Sequence, residues 1–280
     1  MRSTLQRISV EPQAEQMATT LIAKFFTRLA RLSHYSPKGR SRLALFFLRF
    51  ASNEYVTPSI YGPIFQTRWH DATFRFCISG MYGKYLSEFL RRLSYPFSFV
   101  DIGANIGLYS LIAASNPNCK NCYAFEPNPT VFDSLKKNLK INELNSIHAY
   151  NCAISDKEGV LHFATTEAHS GIGRLIDRDT DGSITVKSVD KKIFDEIAAT
   201  DRLPKIVKID VEGHEPVVIG ELMKSSIWND IHYLYFEANC DRYDVGRLVD
   251  YIEGNGLAKI HQKDQGGDLN LMFARLSNAN

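Results

Sequence analysis

Phe99-Val-Asp-Ile-Gly-Ala-Asn-Ile-Gly107 decides the fold. An apolar strand over 97–102 runs into two glycines and then into an apolar helix over 106–114. In a doubly wound sheet the first strand-to-helix turn carries such glycines, and ligands bind outside the carboxyl ends of the strands. Gly103 lets the backbone approach a ligand with no side chain in the way, and Gly107 lets the next helix pack closely. A dinucleotide fingerprint would need glycine at position 105, where Asn105 stands, so a nicotinamide cofactor is disfavoured.

Downstream of this turn the same rhythm continues. Residues 122–125 read as a second strand, 130–142 as a helix preceded by Pro129, and 147–154 as a third strand. Strand 206–209, helix 215–225, strand 233–236 and helix 243–255 follow. Strands 258–261 and 270–274 close the chain, and a Gly266-Gly267 turn between them should send the last one back antiparallel. Such alternation predicts right-handed crossovers and a sheet covered by helices on both faces. The expected fold is α/β: a doubly wound, seven-stranded Rossmann-like sheet over 81–280, its last strand antiparallel, behind an N-terminal helical cap and hairpin over 1–80. Helices are expected over 17–32, 41–51 and 83–93, with the hairpin over 65–78.

Asp101 ends the first strand with a carboxylate, a poor neighbour for a pyrophosphate and a good one for a cationic ligand. Twenty-five residues later Glu126, in Ala124-Phe-Glu-Pro127, ends the second strand. A carboxylate there accepts hydrogen bonds from both hydroxyls of a ribose. A cationic nucleoside such as S-adenosylmethionine suits both acids.

Four stretches resemble the FkbM family of methyltransferases: Val100-Asp-Ile-Gly-Ala-Asn-Ile-Gly107, Ala124-Phe-Glu-Pro-Asn128, Asn151-Cys-Ala-Ile-Ser-Asp-Lys-Glu-Gly159 and Val207-Lys-Ile-Asp-Val-Glu-Gly-His-Glu215. The last is the most distinctive, and Tyr235-Phe-Glu237 resembles the family's fifth-strand ending. The resemblance spans roughly 97–274 and implies a methyltransferase fold that binds S-adenosylmethionine. It implies cofactor contacts along the first turn at Asp101, Gly103, Ala104, Asn105 and Gly107, and at Glu126 and Pro127 beside the ribose. It also implies contacts at Ala153 and Ile154 beside the adenine, and at Asp210. The N-terminal cap lies outside the shared region.

Methyl transfer from a sulfonium is an in-line displacement, so the protein mainly aligns the acceptor and manages its proton. Held geometry alone supplies roughly 7–11 kcal/mol. Beyond the fourth strand stand Lys208, Asp210 and Glu212, which would share one face if strand geometry persisted through 212. His214 titrates near neutrality and is the first candidate base, with Asp210 and Glu212 next. Lys208 completes the candidate catalytic set, although a lysine beside two carboxylates also describes a buried ion network. Glu215 at a helix start is explained by the helix dipole alone. Asp210, Glu212 and Glu237 offer carboxylates for a divalent cation, but no loop spacing specifies such a site, and no metal is expected. Residues 165–183, a long polar stretch with Gly171, Gly173 and Gly182, read as a loop bordering the acceptor pocket.

The leading expectation is O-methylation of a hydroxyl on a sugar, glycan or secondary metabolite, assisted by a general base. N-methylation of a small amine is the second reading. Base-modifying amino-methyltransferases commonly carry an Asn/Asp-Pro-Pro-aromatic tetrad where this chain has Asp210-Val-Glu-Gly213. A non-catalytic binding protein that kept the fold is the third.

With 280 residues, 44% hydrophobic and 23% charged, the composition is that of an ordinary globular protein. A net charge of +2 is too mild for a dedicated nucleic-acid binder, so the expected partner is a small molecule or glycan. Five scattered cysteines argue against a disulfide framework and for the cytoplasm. Cys119-Lys-Asn-Cys122 has the spacing of half a zinc site, without a matching second pair. Leu43–Leu48 falls far short of the roughly 20 apolar residues of a membrane span. Nor does the opening stretch hold a signal-peptide core.

Between Gln16 and Asn53 there is no acid, while Lys24, Arg28, Arg31, Lys38, Arg40, Arg42 and Arg49 punctuate the two cap helices. The favoured reading is a cap packed on the main domain. The alternative is a docking surface for anionic membrane, acidic substrate or a partner subunit, a second copy of the chain included.

Overall fold

The computed structural model describes residues 13–34, 40–166, 168–264 and 268–276. At its centre β3 (Phe97–Ile102) is buried at every position, as a parallel strand covered on both faces must be. It pairs in parallel with β4 (Cys119–Phe125) on one side and β10 (Lys205–Ile209) on the other. The helices α5 (Leu108–Ala114) and α6 (Pro129–Ile141) carry the chain from β3 to β4 and on to β5 (Ile147–Tyr150). On the far side α8 (Glu215–Lys224) leads from β10 to β11 (Ile231–Asn239), and α9 (Val245–Gly254) leads on to β12 (Leu257–Asp264). The last strand, β13 (Asp268–Arg275), inserts antiparallel between β11 and β12. The order β12-β13-β11-β10-β3-β4-β5 is the expected seven-stranded doubly wound sheet. Residues 266 and 267 of the expected final turn lie outside the described residues.

Capping residues set the helix starts. Asn128 accepts from the N–H groups of Thr130 and Val131 ahead of Pro129 at the first position of α6, and Asp244 does the same for α9 through Arg247. Alternate residues of β3 serve different cores. Phe97 and Phe99 join Phe74, Leu86 and Leu111 on one face, while Val100 and Ile102 join Val207, Leu222 and Phe236 on the other. Each such buried side chain contributes about 1.5–3 kcal/mol relative to exposure.

In the N-terminal region α1 (Gln13–His34) and α2 (Arg40–Ala51) pack on each other, and Ala30, Ala44 and Leu48 enter the same core as Phe97. A two-stranded sheet of β1 (Val56–Pro58) and β2 (Ile64–Gln66) follows. Three expectations need correction. The hairpin over 65–78 is β2 followed by the helix α3 (Ala72–Ser79), because Asp71 caps its start through Thr73 N–H and Gly80 ends it in the left-handed region. Its companion α4 (Lys84–Arg92) was expected. The single strand over 147–154 is two, β5 and β6 (Ala153–Ile154), which lie in different sheets. Between them Asn151 Nδ2 donates to the carbonyls of Glu126 and Pro127 at 2.8 and 3.0 Å, turning the chain out of the main sheet.

The third correction concerns 165–183, which is not a bare loop. A second sheet, ordered β6-β9-β7-β8, is built from β6, β7 (Gly159–Ala164), β8 (Arg174–Ile176) and β9 (Ile184–Val189), and α7 (Lys192–Thr200) returns the chain to β10. A 3-10 turn at Ser170–Ile172 precedes β8. Both fall inside the stretch, and short strands among glycines and acids left no clear alternation to read.

Among the described residues no helix is long and apolar enough to cross a membrane. All five cysteines are free. Cys119 and Cys122 lie buried on β4, where burial pushes the Cys119 thiol up to about 12 and the Cys122 thiol well above its ordinary value.

Candidate active site

A cavity of about 330 Å³ opens at the carboxyl ends of β3, β4 and β10, where the strand order reverses. Its floor is the turn after β3. Gly103 has φ +77°, and a Cβ there would stand 1.8 Å from the Asp210 carbonyl oxygen, so only glycine lets this turn cross the end of β10. Gly107, at φ +91°, presses against Leu135 of α6; a Cβ would meet Leu135 Cδ1 at 2.5 Å. Gly107 thus lets the helix pack closely as expected, while Gly103 makes room for the backbone of β10's end rather than for a ligand.

Glu126 forms one wall. Its Oε2 accepts from Asn105 N–H and its Oε1 from Asn128 N–H, both at 2.9 Å, which fixes the carboxylate facing the cavity. Burial pushes its pKa up to about 7, against the pull of those two N–H groups and of Lys208. Phe125, Cys152, Ile154 and Phe163 make an apolar wall beside it, and Ala104, Asn105, Pro127 and Ala153 complete this end.

Asp101 sits deeper than expected. It is fully buried beneath the cavity rather than in its lining, with Ser110 Oγ donating to it at 2.6 Å and Lys208 Nζ 3.2 Å away. Lys208 also donates to the Gly103 carbonyl at 2.6 Å and lies 3.6 Å from Asp210. Burial acts to lower the Lys208 pKa, but Asp101 and Asp210 outweigh it and hold the ammonium above its ordinary value. A cation so held fixes the floor, as a buried ion network does, and cannot serve as a base.

The transfer end gathers Asp210, Glu212, Glu237 and Asp268. Tyr82, between α3 and α4, donates to Asp210 Oδ2 at 2.6 Å and stands 3.5 Å from Glu237 Oε2. Burial, together with Asp210 and Glu237, raises the Tyr82 phenol well above its ordinary range, so it remains a donor. Burial and the neighbouring Asp210, Asp268 and Glu212 push Glu237 up to about 8.

Glu212 departs from its expected place. The strand ends at Ile209 and Glu212 takes φ +56°, so it does not share a face with Lys208 and Asp210 but pairs with Arg242 at 3.3 Å. Burial and Asp210 push it up to about 7. His214 turns toward Ser155, Nε2 to Oγ 3.2 Å, and burial lowers its pKa below the ordinary 6.5. Glu215 accepts from Val211 and Gly213 N–H and holds the turn. Among the described residues no group of three His, Cys, Asp or Glu is arranged to hold a metal.

The segment before β8 closes the side of the cavity. Ser170 Oγ donates to Asp71 Oδ2 at 2.8 Å and lies 3.2 Å from Asn105 Oδ1, and Gly171 N–H donates to Thr73 Oγ1 at 2.8 Å. His169 to Gly173 line the cavity with Thr73, Phe76 and Cys77 of α3. Among the described residues the α1–α2 hairpin does not reach the lining; from the 1–80 region it is α3 that does, followed by Tyr82. Sequence reading missed both. Tyr82 carries one usable signal, its place in Gly80-Met-Tyr-Gly83 between two glycines of positive φ.

Switch-point cavity, glycine turn and strand-end acid together define a Rossmann-like nucleoside-binding fold. The methyltransferase FkbM domain matches residues 101–257, more than half of the chain. The chain belongs to the FkbM methyltransferase family.

The hexuronic acid methyltransferase AglP of Haloferax volcanii is 30% identical over 152 residues, 53% of this chain and 59% of that protein. The methyltransferase sdnD of Sordaria araneosa is 33% identical over 120 residues, 42% of this chain and 45% of that protein. The chain thus spans less than two thirds of either relative. A solved FkbM methyltransferase from Methylobacillus flagellatus is 16% identical at a TM-score of 0.44, covering 74% of this chain and 55% of that one.

The lining of the cavity suits S-adenosylmethionine. Glu126 presents two oriented oxygens for a vicinal diol, and the Phe125, Ile154 and Phe163 wall suits a purine.

Proposed function

We propose that this protein methylates a hydroxyl group of a sugar or secondary metabolite, with S-adenosylmethionine as donor. The observation that carries the reading is the pair Asp210 and Glu237 around the Tyr82 phenol, facing the cavity beyond Glu126. When bound, the cofactor supplies a methyl on a sulfonium whose thioether leaves neutral. Glu126 holds the ribose; Gly103, Ala104 and Asn105 border the methionine end, with Gly107 seating the helix behind them; Pro127, Ala153 and Ile154 border the adenine. Tyr82 occupies Asp210 as a donor, which leaves Glu237 to accept the hydroxyl proton as the oxygen attacks. A base whose pKa is near the working pH combines availability with proton affinity. His214, held at Ser155, is better placed to border the cofactor than to take this proton.

A wider opening of about 420 Å³ lined by Arg174, Glu212, His214 and Arg242 adjoins the cavity. Arg174, exposed there and in no described salt bridge, suits an acceptor that carries a carboxylate, consistent with the hexuronic acid named for the Haloferax relative. N-methylation is the second reading, since four carboxylates at the transfer end would also attract an ammonium. Incubation with methyl-labelled cofactor and parallel sets of uronic acids, neutral sugars and amines decides between them. Label transferred to amines alone overturns the proposal, as does an unchanged turnover in Glu237→Gln.

A further inference from the structure

We propose that the α1–α2 hairpin is an interfacial anchor that docks the protein on an anionic lipid surface. Leu21, Phe25 and Leu32 recur at helical spacing along α1 and are 64%, 59% and 62% exposed. Along α2, Leu43, Phe46 and Phe50 do the same at 46%, 54% and 56%. The two stripes form one face: Phe26 contacts Phe25 at 5.5 Å and Phe50 at 5.2 Å, and Phe46 contacts Phe50 at 5.0 Å. This face is surplus to the fold, because Ala30, Ala44 and Leu48 already seat the hairpin in the core from its other side. Contiguous exposed apolar surface with a polar rim marks an interaction site.

Charge identifies the occupant. Lys24, Arg28, Arg31 and Arg42 are exposed on the same two helices, none is in a described salt bridge, and the segment between Gln16 and Asn53 contains no acid. A two-fold contact between copies sets the same patch against itself, so these cations would face each other, and the hairpin between Gln16 and Asn53 offers no acid to pair them. An anionic bilayer answers both features: apolar side chains enter the headgroup boundary while flanking Lys and Arg meet lipid charges. Docking there also has a consequence for the cavity. The hairpin packs through α2 on α3, and α3 supplies Thr73, Phe76 and Cys77 to the cavity wall, so the acceptor side would lie close to the lipid surface.

Co-sedimentation of the full chain with vesicles tests this, using phosphatidylcholine alone and phosphatidylcholine mixed with phosphatidylglycerol. Binding is expected to the mixed vesicles and not to neutral ones, and to weaken as salt rises. Neutralising Lys24, Arg28 and Arg42 to Gln should lower the partition coefficient about 100-fold, from roughly 1 kcal/mol per basic residue. Replacing Phe25, Phe46 and Phe50 by Ser should abolish binding. Because the Gln variant leaves the packed side of the hairpin intact, and the salt series needs no variant, the test survives misfolding of the Ser variant. No binding to mixed vesicles, equal binding to neutral ones, or unchanged partition in the Gln variant overturns the proposal. So does a dimer that the Phe replacements convert to monomer without any vesicle binding.

Discussion

At the nucleoside end of the cavity, Glu126 is oriented by N–H groups of Asn105 and Asn128, both within a strand-turn-helix neighbourhood of it. At the transfer end, Asp210 is oriented by a phenol 128 positions away in sequence, and its neighbours Glu237 and Asp268 come from β11 and β13. Local backbone geometry thus fixes one end, and long-range packing assembles the other. The first is rigid by construction; the second depends on α3, β11 and β13 all being in place.

The largest expected effect falls on the assembled end. Glu237→Gln should reduce kcat by about 10²–10⁴-fold, the usual contribution of a general base, while calorimetric affinity for S-adenosylhomocysteine stays unchanged. A parallel loss of affinity would erase the division between the two ends. Next comes their junction: Lys208→Ala leaves Asp101 buried and unpaired and should cost about 3–5 kcal/mol in denaturant unfolding. Glu126→Gln should weaken the same calorimetric affinity by roughly 10–100-fold, the worth of hydrogen bonds to a charged group, with little effect on kcat at saturation. Tyr82→Phe should lower kcat by roughly tenfold, since one hydrogen bond to a carboxylate is lost.

The pH dependence of stability is a separate readout. Glu126, Glu212 and Glu237 are pushed up from 4.5 to about 7, 7 and 8. The folded state therefore favours their protonated forms. That stabilisation is complete below about pH 4.5 and is lost as pH rises through about 7 to 8. The melting temperature of the ligand-free protein should fall over this window, and the fall should be smaller in Glu237→Gln.

The same contrast governs what could be read from the chain. The glycine turn, Glu126 at its strand end and the succession of seven strands along the chain were legible because each depends on neighbours in sequence. Asp101 was legible as a strand-end carboxylate but not as a buried partner of Lys208, since depth is a property of packing. Glu212 was misplaced because alternation was extended three residues past Ile209, to a position where the backbone turns left-handed. Tyr82 and α3 were invisible: the alternating residues of 65–78 masked a helix set by Asp71 and Gly80, and nothing in Gly80-Met-Tyr-Gly83 names Asp210 as its partner.

Gly103 and Asp210 meet backbone to backbone, with Lys208 bonded to both sides of the contact. Cofactor turn and transfer strand are therefore one chassis, whereas α3, the Ser170–Ile172 turn and β8 are fitted onto it from outside the strand-end motifs. In engineering terms, if the proposed function holds, these outer walls form a replaceable module. Exchanging 165–176 or the face of α3 should redirect which hydroxyl is methylated while leaving the donor half of the reaction as it is.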